Sequence, residues 1–174
     1  MEFDPAIYFP VLIVLNFSID DYPLRGRDRL VERAAETAAS LAFYYSGLGQ
    51  RIGFSTSGMI STGHGNEETG IRIESGAGYE HAREILKIIA MLQSGIGHAD
   101  FNDLLLGGRT AVSAGTRVLI VSPEIKEEQT APLLAARKRG VDIHVLEIAS
   151  STRPREAGLL LPVIPVGEMD GEVL

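Results

Sequence analysis

The chain has 174 residues, enough for one domain with a substantial core and no covalent staples. It contains no cysteine, which excludes disulfides, thiolate metal sites and cysteine nucleophiles. A net charge of −7 argues against nucleic acid and against anionic membrane surfaces, both of which select basic patches.

Residues 1–8 read as a linker with Met1 an expression start, so the chain is expected to be a piece of a larger protein. Met1-Glu2-Phe3-Asp4 lacks the basic region and apolar core of a signal peptide. No apolar run approaches the roughly 20 residues of a membrane helix, so no membrane contact is expected from this segment. The domain proper is expected over residues 9–166, with 167–174 a C-terminal tail. The first strand is placed from Phe9 to Phe17. Its centre, Val11-Leu12-Ile13-Val14-Leu15, is an unbroken branched apolar run of the kind buried on both faces of a parallel sheet. Asp20 to Arg29 carries Pro23 and Gly26 and reads as a loop, with Asp28 a helix cap.

A helix is expected from Arg29 to Leu48. Leu30, Ala34, Ala38, Leu41, Ala42 and Tyr45 recur at helical spacing, and Gly47 and Gly49 end it. Arg51 to Ser57 is a second strand. Gly58 to Gly70 is a flexible loop or hairpin tip, and Ile71 to Glu74 is an edge strand antiparallel to the second. Tyr79 to Gln93 is a helix with Ala82, Ile85, Ile89 and Leu92 on one stripe. Gly95 and Gly97 break it, and Asp100 caps a short helix through Phe101, Leu104 and Leu105. Thr116 to Ser122 is another fully buried strand, Glu127 to Arg139 a helix that Gly140 terminates, and Val141, Ile143 and Val145 alternate in the next strand. After a polar break at Ser150 to Glu156, Leu159 to Val166 contains two prolines, which make it an edge strand or an extended tail. The order predicts a three-layer α/β/α, Rossmann-like fold with a mostly parallel sheet and one antiparallel edge strand.

In such sheets ligands sit beyond the carboxyl ends of the strands. Asn16, Ser18 and Asp20 alternate there, and Asp100, Ser122 and Glu124 lie at the same edge. Oxygen-bearing groups of this kind suit a hard cation such as magnesium, although Asn16 is neutral and Pro123 fills the first position after Ser122. Other motifs are weaker. Gly53-Phe54-Ser55-Thr56-Ser57-Gly58 lacks the helix that a nucleophile elbow needs. Gly63-His64-Gly65 and Gly95-Ile96-Gly97 do not open long helices as phosphate loops do. His64, His81, His98 and His144 are scattered without metal-ligand spacing.

Several stretches together resemble a von Willebrand factor type A domain, and more narrowly the bacterial family called domain of unknown function fifty-eight. They are Leu15-Asn16-Phe17-Ser18, the alanine-rich Ala34 to Tyr45, Gln50-Arg51-Ile52-Gly53-Phe54, Val118 to Pro123 and Arg139-Gly140-Val141, and the resemblance runs from about Phe9 to Val166. Type A domains often hold a divalent cation through an Asp-x-Ser-x-Ser loop, a threonine and a third-loop aspartate. Here Asn16 stands for the first aspartate, Ser18 matches the first serine and Asp20 stands for the second. His98 to Asp100 offers no threonine, and Pro123 replaces the third-loop aspartate. The resemblance therefore implies a degenerate metal-ion-dependent adhesion site and no resident cofactor. It also implies a cytoplasmic domain of a membrane-anchored bacterial protein, in an accessory role beside a MoxR-type AAA ATPase.

The expected function is a non-enzymatic protein-interaction domain without catalytic residues. Its contact surface is the carboxyl edge, at Asn16 to Asp28, Gly95 to Asp103 and Ser122 to Lys126. Two alternatives stay open. One is a Rossmann-like enzyme binding a small phosphorylated ligand at that edge. The other is a magnesium-dependent binding domain using Ser18, Asp20 and a carboxylate from Asp100 or Glu124.

Overall fold

A computed structural model of the chain describes residues 9–61, 67–93, 104, 112–148 and 162–166. Strand β1 (Val11–Leu15) is buried at every position, as its apolar run demands. A short 3-10 turn at Ile19–Asp21 leads to helix α1 (Arg27–Gly47). The helix begins earlier than the polar loop suggested. Gly26, at φ 74°, occupies the N-cap, a left-handed conformation that costs glycine little, and Asp28 lies in the first turn beside the positive helix end. Next come β2 (Ile52–Thr56), the short hairpin β3 (Met59–Ser61) and β4 (Glu67–Thr69), β5 (Arg72–Gly76) and helix α2 (Tyr79–Met91). The chain continues through β6 (Arg117–Ser122), helix α3 (Glu127–Lys138), β7 (Asp142–Ile148) and β8 (Val163–Val166).

Six strands form one sheet in the order β5-β2-β1-β6-β7-β8. All neighbours are parallel except β5, which pairs antiparallel with β2 at one edge. This is the predicted arrangement, including the antiparallel edge strand. The proline-bearing C-terminal segment joins as the opposite edge, where Pro165 opposes Glu147. The expected short helix at Phe101 to Leu105 falls outside the described residues apart from Leu104, which is helical and buried. The glycine pairs at 63–65 and 95–97, His64, His98 and the break at 150–156 also lie outside them.

Helices cover both faces. On one, Val11, Ile13 and Leu15 meet Ala34, Ala38 and Ala42 of α1 and Ile85 and Ile89 of α2. The three alanines are spaced four apart and have 0% exposure, so the α1 backbone lies close on the sheet. On the other, Leu12, Val14, Val118 and Ile120 pack with Leu133 and Ala136 of α3 and with Leu104. Fully burying each branched side chain contributes about 1.5–3 kcal/mol relative to exposure. The molecule is thus a three-layer α/β/α fold with β1 near its centre.

Candidate site at the carboxyl edge

Where β1 ends, both neighbouring ladders run one step further. The Asn16 N–H donates to the Val121 carbonyl (2.8 Å), while the Ser57 N–H donates to the Leu15 carbonyl (3.3 Å). The ends of β2, β1 and β6 therefore meet around one asparagine that is 2% exposed. Its Nδ2 donates to Asp21 Oδ2 (2.9 Å) and to Ser122 Oγ (3.2 Å). Its Oδ1 accepts from the Ser18 N–H (3.2 Å) and from Ser57 Oγ (3.3 Å). An asparagine amide offers two donor hydrogens and two acceptor lone pairs, and all four are used. The partners also fix its orientation. Exchanging oxygen and nitrogen would set the amide oxygen against the Asp21 carboxylate and the NH2 against the Ser18 N–H.

The loop after β1 closes over this hub. The Ser18 bond is a side-chain-to-backbone contact two residues on, a local turn that asparagine favours. The Phe17 N–H donates to Ser57 Oγ (2.8 Å). Tyr22 is 2% exposed, and its hydroxyl donates to the Asn16 carbonyl (2.6 Å). Burial, reinforced by the nearby Asp21 charge, raises the Tyr22 pKa well above the usual phenol value, so this hydroxyl stays a donor. Arg27, from the first turn of α1, donates to the Tyr22 carbonyl (3.0 and 3.3 Å).

Charge at the site comes from two residues that local spacing did not single out. Lys126 Nζ donates to Asp21 Oδ1 at 2.6 Å, with the carboxylate 18% exposed and the ammonium 49% exposed. Lys126 is the N-cap of α3, held there by its own N–H donating to the Gln129 side chain (2.8 Å). Asp21 therefore receives an amide donor on one oxygen and a permanent cation on the other.

Of the residues expected here, Asn16, Ser18 and Ser122 come together in the buried network, Ser18 through its backbone N–H. Asp20 and Glu124 are exposed at the rim. Asp100 lies outside the described residues. Asp21, Tyr22, Ser57 and Lys126 are the additions. The donor set does not suit a divalent cation, which requires several free oxygens. The Asn16 oxygen is engaged twice, the face toward Asp21 and Ser122 presents N–H groups, and Asp21 already holds an ammonium. Among the described residues, no three histidine, aspartate or glutamate side chains are grouped closely enough to hold a metal ion. Among them, too, no helix is long and apolar enough to cross a membrane.

Neither a family model nor a curated protein matches the sequence. Eighteen solved chains match the structure. One is proximal thread matrix protein 1 from the mussel byssus, at 9% identity and a TM-score of 0.52, over 80% of this chain and 38% of that one. Another is the pilus adhesin SpaC from Lactobacillus rhamnosus GG, at 13% identity and a TM-score of 0.46, over 80% of this chain and 24% of that one. This chain thus spans well under half the length of either protein. At such identities the likeness speaks to the fold alone.

Proposed function

We propose that the chain is a protein-interaction domain of the von Willebrand factor type A class, non-enzymatic, with an internal network of side chains standing where relatives would hold a metal. The observation that carries this reading is Asn16, whose amide is saturated by Asp21, Ser122, Ser18 and Ser57. An amide at the first ligand position, with a lysine ammonium beside the neighbouring carboxylate, supplies internally the positive charge that a cation would bring. The edge is then a fixed polar surface whose rim, Asp20 and Glu124, is exposed and acidic. Such a rim favours a basic patch on the partner, through steering more than through raw affinity. A MoxR-type ATPase, working beside a membrane-anchored parent protein, is the partner this reading names.

The test is calorimetric titration with magnesium and manganese, followed by capture of a co-expressed MoxR-type ATPase with and without chelator. The reading expects no saturable metal binding, and capture that survives chelator but falls when Asp20 and Glu124 are both changed to lysine. Saturable magnesium binding lost in Asp21→Ala overturns the metal-free site. Capture indifferent to the double charge reversal overturns the surface.

A further inference from the structure

The other end of the sheet carries a cleft that the carboxyl-edge reading leaves unused. It has a volume of about 270 Å³ and opens at the amino ends of the parallel strands, beside Pro10, Arg51 and Thr116. That is below the roughly 300–1,000 Å³ typical of pockets for drug-sized ligands, so it suits a small molecule. Leu12, Ile73 and Val112 give it an apolar wall, and Gly53 keeps one side open, since a Cβ there would stand 3.3 Å from the Ile73 carbonyl and 3.4 Å from Leu12.

Its polar side is cationic and incompletely satisfied. Two buried side-chain atoms among the described residues have no hydrogen-bond partner, Arg72 Nη1 and Ser75 Oγ, and both residues line this cleft. Native structures leave few such atoms, and an unsatisfied guanidinium nitrogen is among the more costly of them. Arg51 supplies a second guanidinium on the rim, anchored by its Nη2 donating to the Ser75 carbonyl at 2.6 Å. Arg72 meets one carboxylate, Glu74, through a single contact from Nε to Oε1 at 3.1 Å. The Glu74 side chain is 74% exposed against 26% for Arg72. A guanidinium fork is matched by two carboxylate oxygens, so this one-point contact leaves Arg72 half-used.

We infer that this cleft binds a small organic carboxylate with a short apolar body. The ligand carboxylate displaces Glu74 into solvent, and the freed Arg72 guanidinium turns to take both ligand oxygens, bringing Nη1 a partner, while Arg51 adds the second positive charge. The apolar body lies against Leu12, Ile73 and Val112. Glu74 is thus a built-in competitor whose removal strengthens binding.

The test uses the isotope-labelled chain, with amide shifts of Gly53, Ser75 and Ser113 followed by NMR during titration with valerate and, separately, inorganic phosphate. Saturable shifts with valerate are expected, with phosphate weaker because it cannot use the apolar wall. Glu74→Gln tightens valerate binding severalfold, and Arg72→Gln weakens it by about tenfold or more, the scale of a lost charge-assisted pair. The gain in Glu74→Gln does not depend on how well Arg72→Gln folds. No saturable shift in either the parent chain or Glu74→Gln overturns the site. So does binding unchanged in Arg72→Gln, and phosphate binding as tightly as valerate overturns the carboxylate assignment.

Discussion

Asn16 Nδ2 donates to Ser122 Oγ across 106 positions of sequence, tying the end of β1 to the end of β6. With Ser57 at the end of β2, that bond makes one amide the common fastening of three strand ends.

Asn16→Asp removes both amide donors and sets a second carboxylate against Asp21, at 2.9 Å in the parent chain. The expected loss is about 1–3 kcal/mol of stability, the cost of breaking buried hydrogen bonds to polar partners. The same change gives the edge a charged oxygen ligand. A thermal melt repeated with magnesium should therefore recover part of the loss in Asn16→Asp and none in the parent chain. Equal melting of the two proteins without metal would mean that the amide contributes little.

Tyr22→Phe deletes one hydroxyl and leaves the Asn16 carbonyl without its 2.6 Å donor. Denaturant unfolding should register about 1 kcal/mol. The alkaline limb provides an independent check. Because the folded pKa of Tyr22 lies above its ordinary value of about 10, its contribution is complete below pH about 10 and is lost as pH climbs toward the folded value. The parent chain should lose stability above that point more steeply than Tyr22→Phe does.

At the amino edge, Asp142 accepts from Arg117 Nε (2.7 Å) and faces His144 Nε2 (2.9 Å). Partial burial alone would raise its pKa, but the hydrogen bonds and positive charges of Arg117 and His144 outweigh that and lower it. Its stabilisation is present above the ordinary carboxylate pKa of about 4 and disappears as pH falls through the folded value. Arg117 and Asp142 are each nearly half exposed, so the effect stays below about 1 kcal/mol. Acid unfolding of Asp142→Asn should begin from a slightly lower stability and decline less between pH about 5 and about 3.

Ala38→Leu tests how closely α1 lies on the sheet. The position has 0% exposure between Ala34 and Ala42, so the added carbons have nowhere to go. A loss of about 1–3 kcal/mol is expected by denaturation. Phe43→Ser, on the same helix at 66% exposure, should change stability by less than about 0.5 kcal/mol.

The sheet was legible because its signals are local. Val11–Leu15 is apolar without interruption, Arg72 and Glu74 alternate with apolar neighbours at an edge, and Ala34, Ala38 and Ala42 repeat at one helical turn. The site was legible only as far as the backbone stayed extended. Counting alternate residues from Asn16 reaches Ser18 correctly and then Asp20. The 3-10 turn at Ile19–Asp21 breaks that alternation, leaving Asp20 exposed and bringing Asp21 onto Asn16. Ser57 and Lys126 lie 41 and 105 positions from their partners, distances at which no spacing rule operates. Arg72 carries no local mark of its role, since a single arginine on an edge strand looks solvent-facing until its unpartnered nitrogen is seen.

The place of β1 in the sheet also has a temporal side. Among the six strands of the sheet it comes first in chain order, yet Val11 pairs with Ile52 on one flank and Arg117 on the other. Until the chain has grown past β6, its most apolar strand has one flank unpaired, an adhesive template for a second nascent chain. Pairings this distant in sequence also make folding slow. A fragment ending before Arg117 should accordingly aggregate rather than fold, and recombinant yield should respond to chaperone supply and growth temperature more than the finished domain's stability would suggest.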